Sequence, residues 1–384
     1  MKVIVTGGGT AGHVTPLLAV VSELVRQVPD VKISYFGTKK DTSSSLIVGS
    51  EYFNKRQSIF AGKFRRYNGK PFIWYIKHPS VMLLNIRDIF FVGLGFIQSL
   101  YIMIFSRPSV VFVTGGYVGL PVGLAATVLR IPIVTNDLDT VPGLTNKVLS
   151  RFARGLAVAA PLSYYPQYAN KPAVYCGVPV RKEFLHPVNI SLAKQKLNIN
   201  SNSKLIVITG GSSGAGRLNS LVYDIFPEII KDSSRTVYWL CGLKDYKYYQ
   251  GKIKEKRVII KDFESDMISV LSAADLVVSR AGATTLAEIA ALAKPLIIVP
   301  SKMLTGGHQI QNANIYADAN AATVLDESLL DKDPKLLLNT INTILSSNAK
   351  SKELSDNIVT LVQPKASLNI ANVIIDVANG VSVK

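Results

Sequence analysis

VIVTGGGTAGHVTP, residues 3–16, runs from a short β-branched stretch straight into glycines and then into helix-forming sequence. The spacing Gly7-x-Gly9-x-x-Gly12 is that of a dinucleotide-binding turn, where glycines let backbone N–H groups approach an anion at a helix N-terminus. LIVITGGSSGAG, residues 205–216, starts the same programme again in the second half of the chain. Around these two starts, ISYF (33–36), VVFV (110–113), IPIV (131–134), VYWL (237–240), VIIK (258–261), LVVS (276–279) and LIIVP (296–300) read as buried parallel strands separated by helical sequence. Two strand–glycine loop–helix openings predict two doubly wound α/β domains, with ligands held at the carboxyl ends of the strands.

Bulk composition agrees with two domains. A length of 384 residues exceeds one ordinary core, and 48% hydrophobic residues exclude a disordered chain. The net charge of +17 asks for an anionic partner: nucleic acid, an anionic membrane or a phosphorylated substrate. Cys176 and Cys241 are the two cysteines, far apart and without metal spacing, which fits a reducing compartment. The opening apolar run is too short for the core of a signal peptide.

A nicotinamide-binding reading of the first loop wants an acid at the tip of the second strand. That strand ends in Tyr35-Phe36-Gly37-Thr38, and Asp41 follows only after two lysines, so the NAD reading loses support. The simpler alternative is a tight turn with no ligand. His13, titrating near neutrality at the mouth of an anion loop, is a candidate general base; an ordinary capping histidine is the competing reading. The second loop lacks a Walker lysine, which leaves ATP hydrolysis unsupported. In SRAGATTLAEIAA (279–291), Glu288 sits where a carboxylate could accept two hydrogen bonds from a ribose, or could merely favour the helix dipole.

One segment breaks the rhythm. Residues 52–78, YFNKRQSIFAGKFRRYNGKPFIWYIKH, hold seven cations, no acid and interleaved aromatics. An apolar run, IFFVGLGFIQSLYIMIF (89–105), follows. Cations and amphipathic rings suit an anionic bilayer surface, with Arg65, Arg66, Lys70, Phe72, Trp74 and Lys77 as the patch. The apolar run is at the lower limit for spanning. Spanning would split the first sheet, because VVFV comes directly after, so a monotopic surface attachment is expected. Nucleic acid is not expected as a partner, since no binding module surrounds the patch.

GGGTAGHVTP, VTGGYVGLP (113–121), DTVPGLTNKVLSR (139–151), GVPVR (177–181), GGSSGAGRLN (210–219), SRAGATTLAEIAA and HQIQNA (308–313) together resemble, in order, the motif set of one family. It is the MurG family, which transfers N-acetylglucosamine from UDP-GlcNAc to undecaprenyl-pyrophosphoryl-MurNAc-pentapeptide (lipid I) in peptidoglycan synthesis. The resemblance runs from Met1 to about Asn320.

It implies a GT-B fold: two Rossmann-like doubly wound domains facing across a cleft. Residues 1–181 with about 365–384 would bind acceptor and membrane, and residues 182–364 the UDP-sugar. The implied partners are UDP-GlcNAc, lipid I and the cytoplasmic face of the cell membrane, with no cofactor. On the donor side the resemblance implies Arg181 near the diphosphate, Gly211, Ser212 and Ser213 in the phosphate loop, and Phe263 near the uracil. Glu288 would grip the ribose and Gln309 contact the sugar, with Ala283, Thr284 and Asn312 also counted in the donor site. Thr10 and Gly12 of the first loop are counted with the donor. Gly9, Thr15, Gly115, Gly116, Tyr117 and Asp137 fall on the acceptor side.

Departures bear on the chemistry. The family's HEQN before the VPG turn is Asn136-Asp137-Leu138-Asp139, its loop glutamine is Ser213, and GNPVR has become GVPVR with Val178. The aspartate of D-x-Q-x-x-N-A is Gly307. Asp139, an acid where an amide is expected, therefore stands beside His13 as the second candidate for the base. The expected reaction is a single inverting displacement, without metal because no DxD-type acid pair adjoins the diphosphate residues. Two competitors remain: a transferase of the same architecture acting on another lipid such as diacylglycerol, and a non-catalytic nucleotide-sugar-binding membrane protein.

Overall fold

The structure is a computed structural model that describes residues 1–8, 11–42, 44–65, 74, 77–186, 188–211, 214–302 and 305–383. The chain divides into two compact units. One comprises Met1–Val180, Leu304–His308 and Lys365–Lys384; the other comprises Arg181–Met303 and Gln309–Pro364.

The first unit holds β1 (Lys2–Thr6), α1 (Ala11–Gln27), β2 (Lys32–Gly37), β3 (Lys55–Ser58), α2 (Pro79–Ser106), β4 (Val110–Val113), β5 (Ile133–Asp137), α3 (Leu144–Leu149), β6 (Gly155–Val158) and β7 (Ala173–Tyr175). Its seven-stranded sheet runs β3-β2-β1-β4-β5-β6-β7 and is parallel throughout. Helices cover both faces, so strands such as β4 (VVFV) are buried at every position and read as continuous apolar runs. The strand order reverses between β1 and β4, which puts their two following glycine loops side by side.

The second unit repeats the plan. It holds β8 (Lys204–Thr209), α4 (Gly216–Ile229), β9 (Arg235–Leu240), β10 (Val258–Lys261), β11 (Leu276–Ser279), α5 (Ala283–Ala291), β12 (Leu296–Ile298), α6 (His308–Asp318, whose first residue groups with the other unit) and β13 (Thr323–Val324). Its parallel sheet runs β10-β9-β8-β11-β12-β13, with the reversal between β8 and β11. The polar stretch 192–204 lies inside this unit, where it supplies the end of a short helix and a turn into β8. The last helix, α7 (Ala366–Ala378), packs Ile370, Ile374 and Val377 into the core formed by α1 and the first sheet.

Residues 131–134 were expected to form a strand, but β5 is Ile133–Asp137, which brings Asp137 to the strand's carboxyl end. β3 falls inside the basic-aromatic segment, where its polar sequence, KRQS, suits a strand at the sheet's edge.

The apolar run forms part of α2, a helix of 28 residues. One face is packed: Asp88, Gly95, Ser99 and Met103 are buried. The segment after β3 crosses this face so closely that two glycines are required. A Cβ on Gly95 would stand 1.8 Å from the Phe60 carbonyl oxygen, and one on Gly62 would stand 2.0 Å from that of Asp88. Gln98 fastens the crossing by bonding the Phe60 N–H and the Ser58 carbonyl. The opposite face exposes Leu83, Ile86, Phe90, Ile97, Tyr101 and Phe105, spaced to form one helical stripe.

Candidate functional site

In the first unit both glycine loops border a cavity of about 430 Å³ that is lined by His13, Gly115, Gly116, Tyr117, Asp137 and Asp139 among others. The loops meet backbone to backbone. A Cβ on Gly116 would lie 2.4 Å from the Gly8 carbonyl oxygen, and Gly115 and Gly116 have φ of +94° and +77°, the left-handed region where side chains are strained.

His13 lies in the first turn of α1, partly buried. Its Nδ1 is 3.0 Å from the Thr114 carbonyl oxygen, an acceptor only, so Nδ1 carries the proton and donates. Nε2 is left as the basic nitrogen. Burial lowers the pKa of His13 below the ordinary imidazole value, against the opposing pull of the Asp139 charge and the Thr114 bond. The neutral imidazole therefore prevails at neutral pH, the form a general base requires.

Asp137 closes β5 almost fully buried. Its carboxylate accepts from the Tyr168 hydroxyl at 2.7 Å and from Asn146 Nδ2 at 2.7 Å. Burial pushes its pKa up to about 6, with these two donors pulling the other way. Asn146 also donates to the Asn136 carbonyl, and Thr145 donates to the Gly116 carbonyl at 2.7 Å, so α3 ties the strand end to the second glycine loop. The motif containing Thr145 and Asn146 was legible, but not these roles for them.

The missing acid of the first loop is present in space. A Cβ on Gly8 would lie 2.6 Å from Asp41 Oδ2, and Asp41 is held there by the Thr38 N–H and hydroxyl. A short helical turn, Lys39–Thr42, carries Asp41 back over the loop. Gly12 and Thr15 lie in the first turns of α1, whereas Gly9 and Thr10 fall outside the described residues.

In the second unit Arg181, Ala283, Thr284, Glu288 and Asn312 lie around the loop between β11 and α5. Ala283 and Thr284 open α5, and Glu288 is buried within it. Arg181 donates to Glu288 Oε1 from Nη2 and Nε at 3.3 and 3.4 Å, and its guanidinium also lies 4.6 Å from the centroid of the Phe184 ring. Burial raises the Glu288 pKa to about 6, while Arg181 draws it down. On α6, Asn312 donates to the Ala281 carbonyl at 3.0 Å and Gln309 accepts from the Ser301 N–H at 2.9 Å. Gly307 has φ of +66°, a conformation that disfavours the expected aspartate. Gly211 has φ of +77°; Ser212 and Ser213 lie outside the described residues. Phe263 follows the edge strand β10, exposed and apart from the Glu288 cluster.

The basic patch is less uniform than its composition. Arg65 donates to the buried Asp88 at 2.7 Å, so its charge is spent on α2. Trp74 stacks on His78 with centroids 3.7 Å apart, and Lys77 is exposed. Arg66, Lys70 and Phe72 lie outside the described residues. Among the described residues no group of three or more His, Cys, Asp or Glu could hold a metal ion.

Comparison with known proteins adds the following. The N-terminal domain of glycosyltransferase family 28 matches residues 3–158 and its C-terminal domain matches residues 205–370. The UDP-N-acetylglucosamine–N-acetylmuramyl-(pentapeptide) pyrophosphoryl-undecaprenol N-acetylglucosamine transferase of Natranaerobius thermophilus is 32% identical, over 97% of this chain and 99% of its own. The enzyme of the same name from Bacillus cytotoxicus is 34% identical over 92% and 95%. The crystal structure of Acinetobacter baumannii MurG superposes with a TM-score of 0.70 at 25% identity, covering 98% of this chain and 99% of that one. A Staphylococcus aureus MnaA–UDP structure, 13% identical with a TM-score of 0.68 over 99% of this chain and 97% of its own, shares the fold.

Proposed function

The chain belongs to the MurG family of GT-B glycosyltransferases, and from that premise we propose how its residues divide the family's reaction. It transfers GlcNAc from UDP-GlcNAc to lipid I, forming lipid II for peptidoglycan synthesis. In our reading the first unit takes the acceptor and the second takes the donor. The muramoyl 4-hydroxyl attacks the anomeric carbon from the face opposite UDP. The new glycosidic bond forms as the bond to the diphosphate oxygen breaks, with inversion. The hydroxyl proton passes to His13 Nε2, and Asp139 steadies the imidazolium that results.

The observation that carries this assignment is the His13–Thr114 bond, which fixes the basic nitrogen while burial keeps the ring neutral. Charge developing on UDP would be met by amides of the glycine loop 210–216, the N-terminus of α4 and Arg181. Arg181 and Glu288 now hold each other. The donor would separate their tasks, the diphosphate taking the guanidinium and the ribose hydroxyls the carboxylate. Gln309 and Asn312 would face the sugar, and the residues after β10, Phe263 among them, the uracil.

Turnover of a short-chain lipid I analogue with UDP-GlcNAc, UDP-GalNAc and UDP-Glc tests this reading. UDP-GlcNAc is expected to be preferred by at least about tenfold, the size of one well-made polar contact. Transfer to diacylglycerol but not to the lipid I analogue would instead favour the other-lipid transferase. UDP-GlcNAc binding without turnover would favour a non-catalytic protein.

We also propose peripheral attachment to the cytoplasmic face of the membrane, through the exposed stripe of α2 and the cations near it. α2 is long and apolar enough to cross a bilayer, with a mean hydropathy of 2.0 in its most apolar window. Crossing would strip Asp88 and Gly95 from the partners that bury them and leave polar groups in hydrocarbon. In cosedimentation with phosphatidylglycerol vesicles, the double variant Phe90→Glu/Ile97→Glu is expected to lose at least about tenfold in binding, because both apolar contacts are replaced by repelled charges. Its turnover of the short-chain analogue should persist. Unchanged vesicle binding would remove α2 from the attachment surface.

A further inference from the structure

Two tyrosines outside every motif that carries the family resemblance reach back under the turn bearing Asp139. Tyr168 donates its hydroxyl to Asp137 Oδ2 at 2.7 Å, and Tyr165 donates its own to the Asp139 carbonyl oxygen at 3.3 Å. Their rings lie parallel, with centroids 5.9 Å apart and planes 2° from coplanar. Both side chains are buried, in paired 3-10 turns between β6 and β7. Lys171 caps the outer ring, its Nζ 5.3 Å from the Tyr168 centroid. From the other side Asn146 holds the second carboxylate oxygen of Asp137, so both oxygens of that residue are occupied by protein donors.

We propose that Tyr165 and Tyr168 form a clamp that sets the 137–139 turn and so positions Asp139 beside His13 for proton transfer. The clamp rests on the reading of His13 and Asp139 given above. It divides the labour of two neighbouring acids. Asp137, held from both sides, is an anchor, and Asp139 on the same cavity wall is the acid that acts on the imidazole. Neither tyrosine touches substrate in this scheme; both are positioning residues. A hydroxyl and a stacked ring can fix a carboxylate to a fraction of an ångström in the turn that follows β5.

The test is Tyr168→Phe in the full-length protein. It keeps the ring stack and removes the hydroxyl's bonds to Asp137 and Ser150. We expect kcat with the short-chain acceptor to fall by about 10–100-fold, the scale of a small misplacement of a reacting group. The KM for UDP-GlcNAc should stay within about twofold, because the donor residues are in the other unit. General loosening of the fold would not produce that split. Tyr165→Phe, which loses the longer bond to the Asp139 carbonyl together with the hydroxyl's bonds to the Ala159 and Ala160 backbone, should show the same split with a smaller loss, and it carries the test if Tyr168→Phe fails to fold.

A kcat within twofold of wild type in both variants overturns the clamp, as does an equal loss spread over kcat and donor KM. If wild type itself does not turn over lipid I, the proposed function fails separately. The crystal structure of Tyr168→Phe then decides the clamp: a displaced Asp139 supports it and an unmoved 137–139 turn refutes it.

Discussion

His13→Ala is expected to lower kcat by about 10²–10⁴-fold, the range for losing a positioned general base, with little change in the KM for UDP-GlcNAc. The expectation follows from one bond. Thr114 fixes the Nδ1 proton, so Nε2 is the nitrogen able to accept; His308 is a second histidine on the same cavity wall. Asp139→Asn separates the two candidates. If His13 is the base, that variant loses less than His13→Ala, and the double variant is no worse than His13→Ala alone, because residues acting as a unit do not add. If Asp139 is the base, the order reverses.

The pH profile gives a second handle with a definite sign. The Asp139 charge raises the His13 pKa against the larger effect of burial. Removing it in Asp139→Asn should shift the acid limb of kcat/KM to lower pH, since the base then stays unprotonated further down. A limb that moves up, or does not move, would show that Asp139 and the imidazole are uncoupled.

Glu288→Ala should raise the KM for UDP-GlcNAc by about 10–100-fold, the value of one to two hydrogen bonds to a charged group, while kcat falls much less. Glu288 is buried with Arg181 as a partner at 3.3–3.4 Å, a loose pair that a ribose can replace. Burial raises its pKa to about 6; hydroxyl donors from a bound ribose would favour the carboxylate and lower it. Glu288→Gln keeps an acceptor and should lie between wild type and Glu288→Ala. Titration of UDP into each variant provides the binding counterpart. An unchanged KM together with unchanged UDP affinity would take Glu288 out of the donor site.

Much of this architecture was legible because parallel strands covered on both faces must be apolar throughout. VVFV and LVVS announce themselves for that reason. β3, Lys-Arg-Gln-Ser at the sheet's edge, carries no such signal and merged with the basic segment around it. The glycine loops were legible because left-handed backbone and close approach each exclude side chains. What stayed hidden were contacts across sequence. Asp41 returns to Gly8, Arg65 finds Asp88, and Tyr168 reaches Asp137 from 31 residues away. Composition records a charge or a hydroxyl; it does not record which partner has already claimed it. Arg65 therefore looked like a surface cation, and the tyrosines of SYYPQY looked like nothing in particular.

The glycine crossing on α2 has a consequence for how a lipid-borne substrate would be measured. Gly62 and Gly95 weld the strip that includes Lys63 and Phe64, both on the cavity wall, to the inner side of the helix whose outer side is apolar. If that outer side rests on a bilayer as proposed, the altitude of His13 above the lipid would be a constant of the fold, not of a flexible tether. The protein would then work as a gauge: a hydroxyl carried at the matching height by a pyrophosphate stalk would meet the base, and one carried higher or lower would slide past it. Both reactants would search a plane instead of a volume, and the glycines would be the rivets that keep the gauge true.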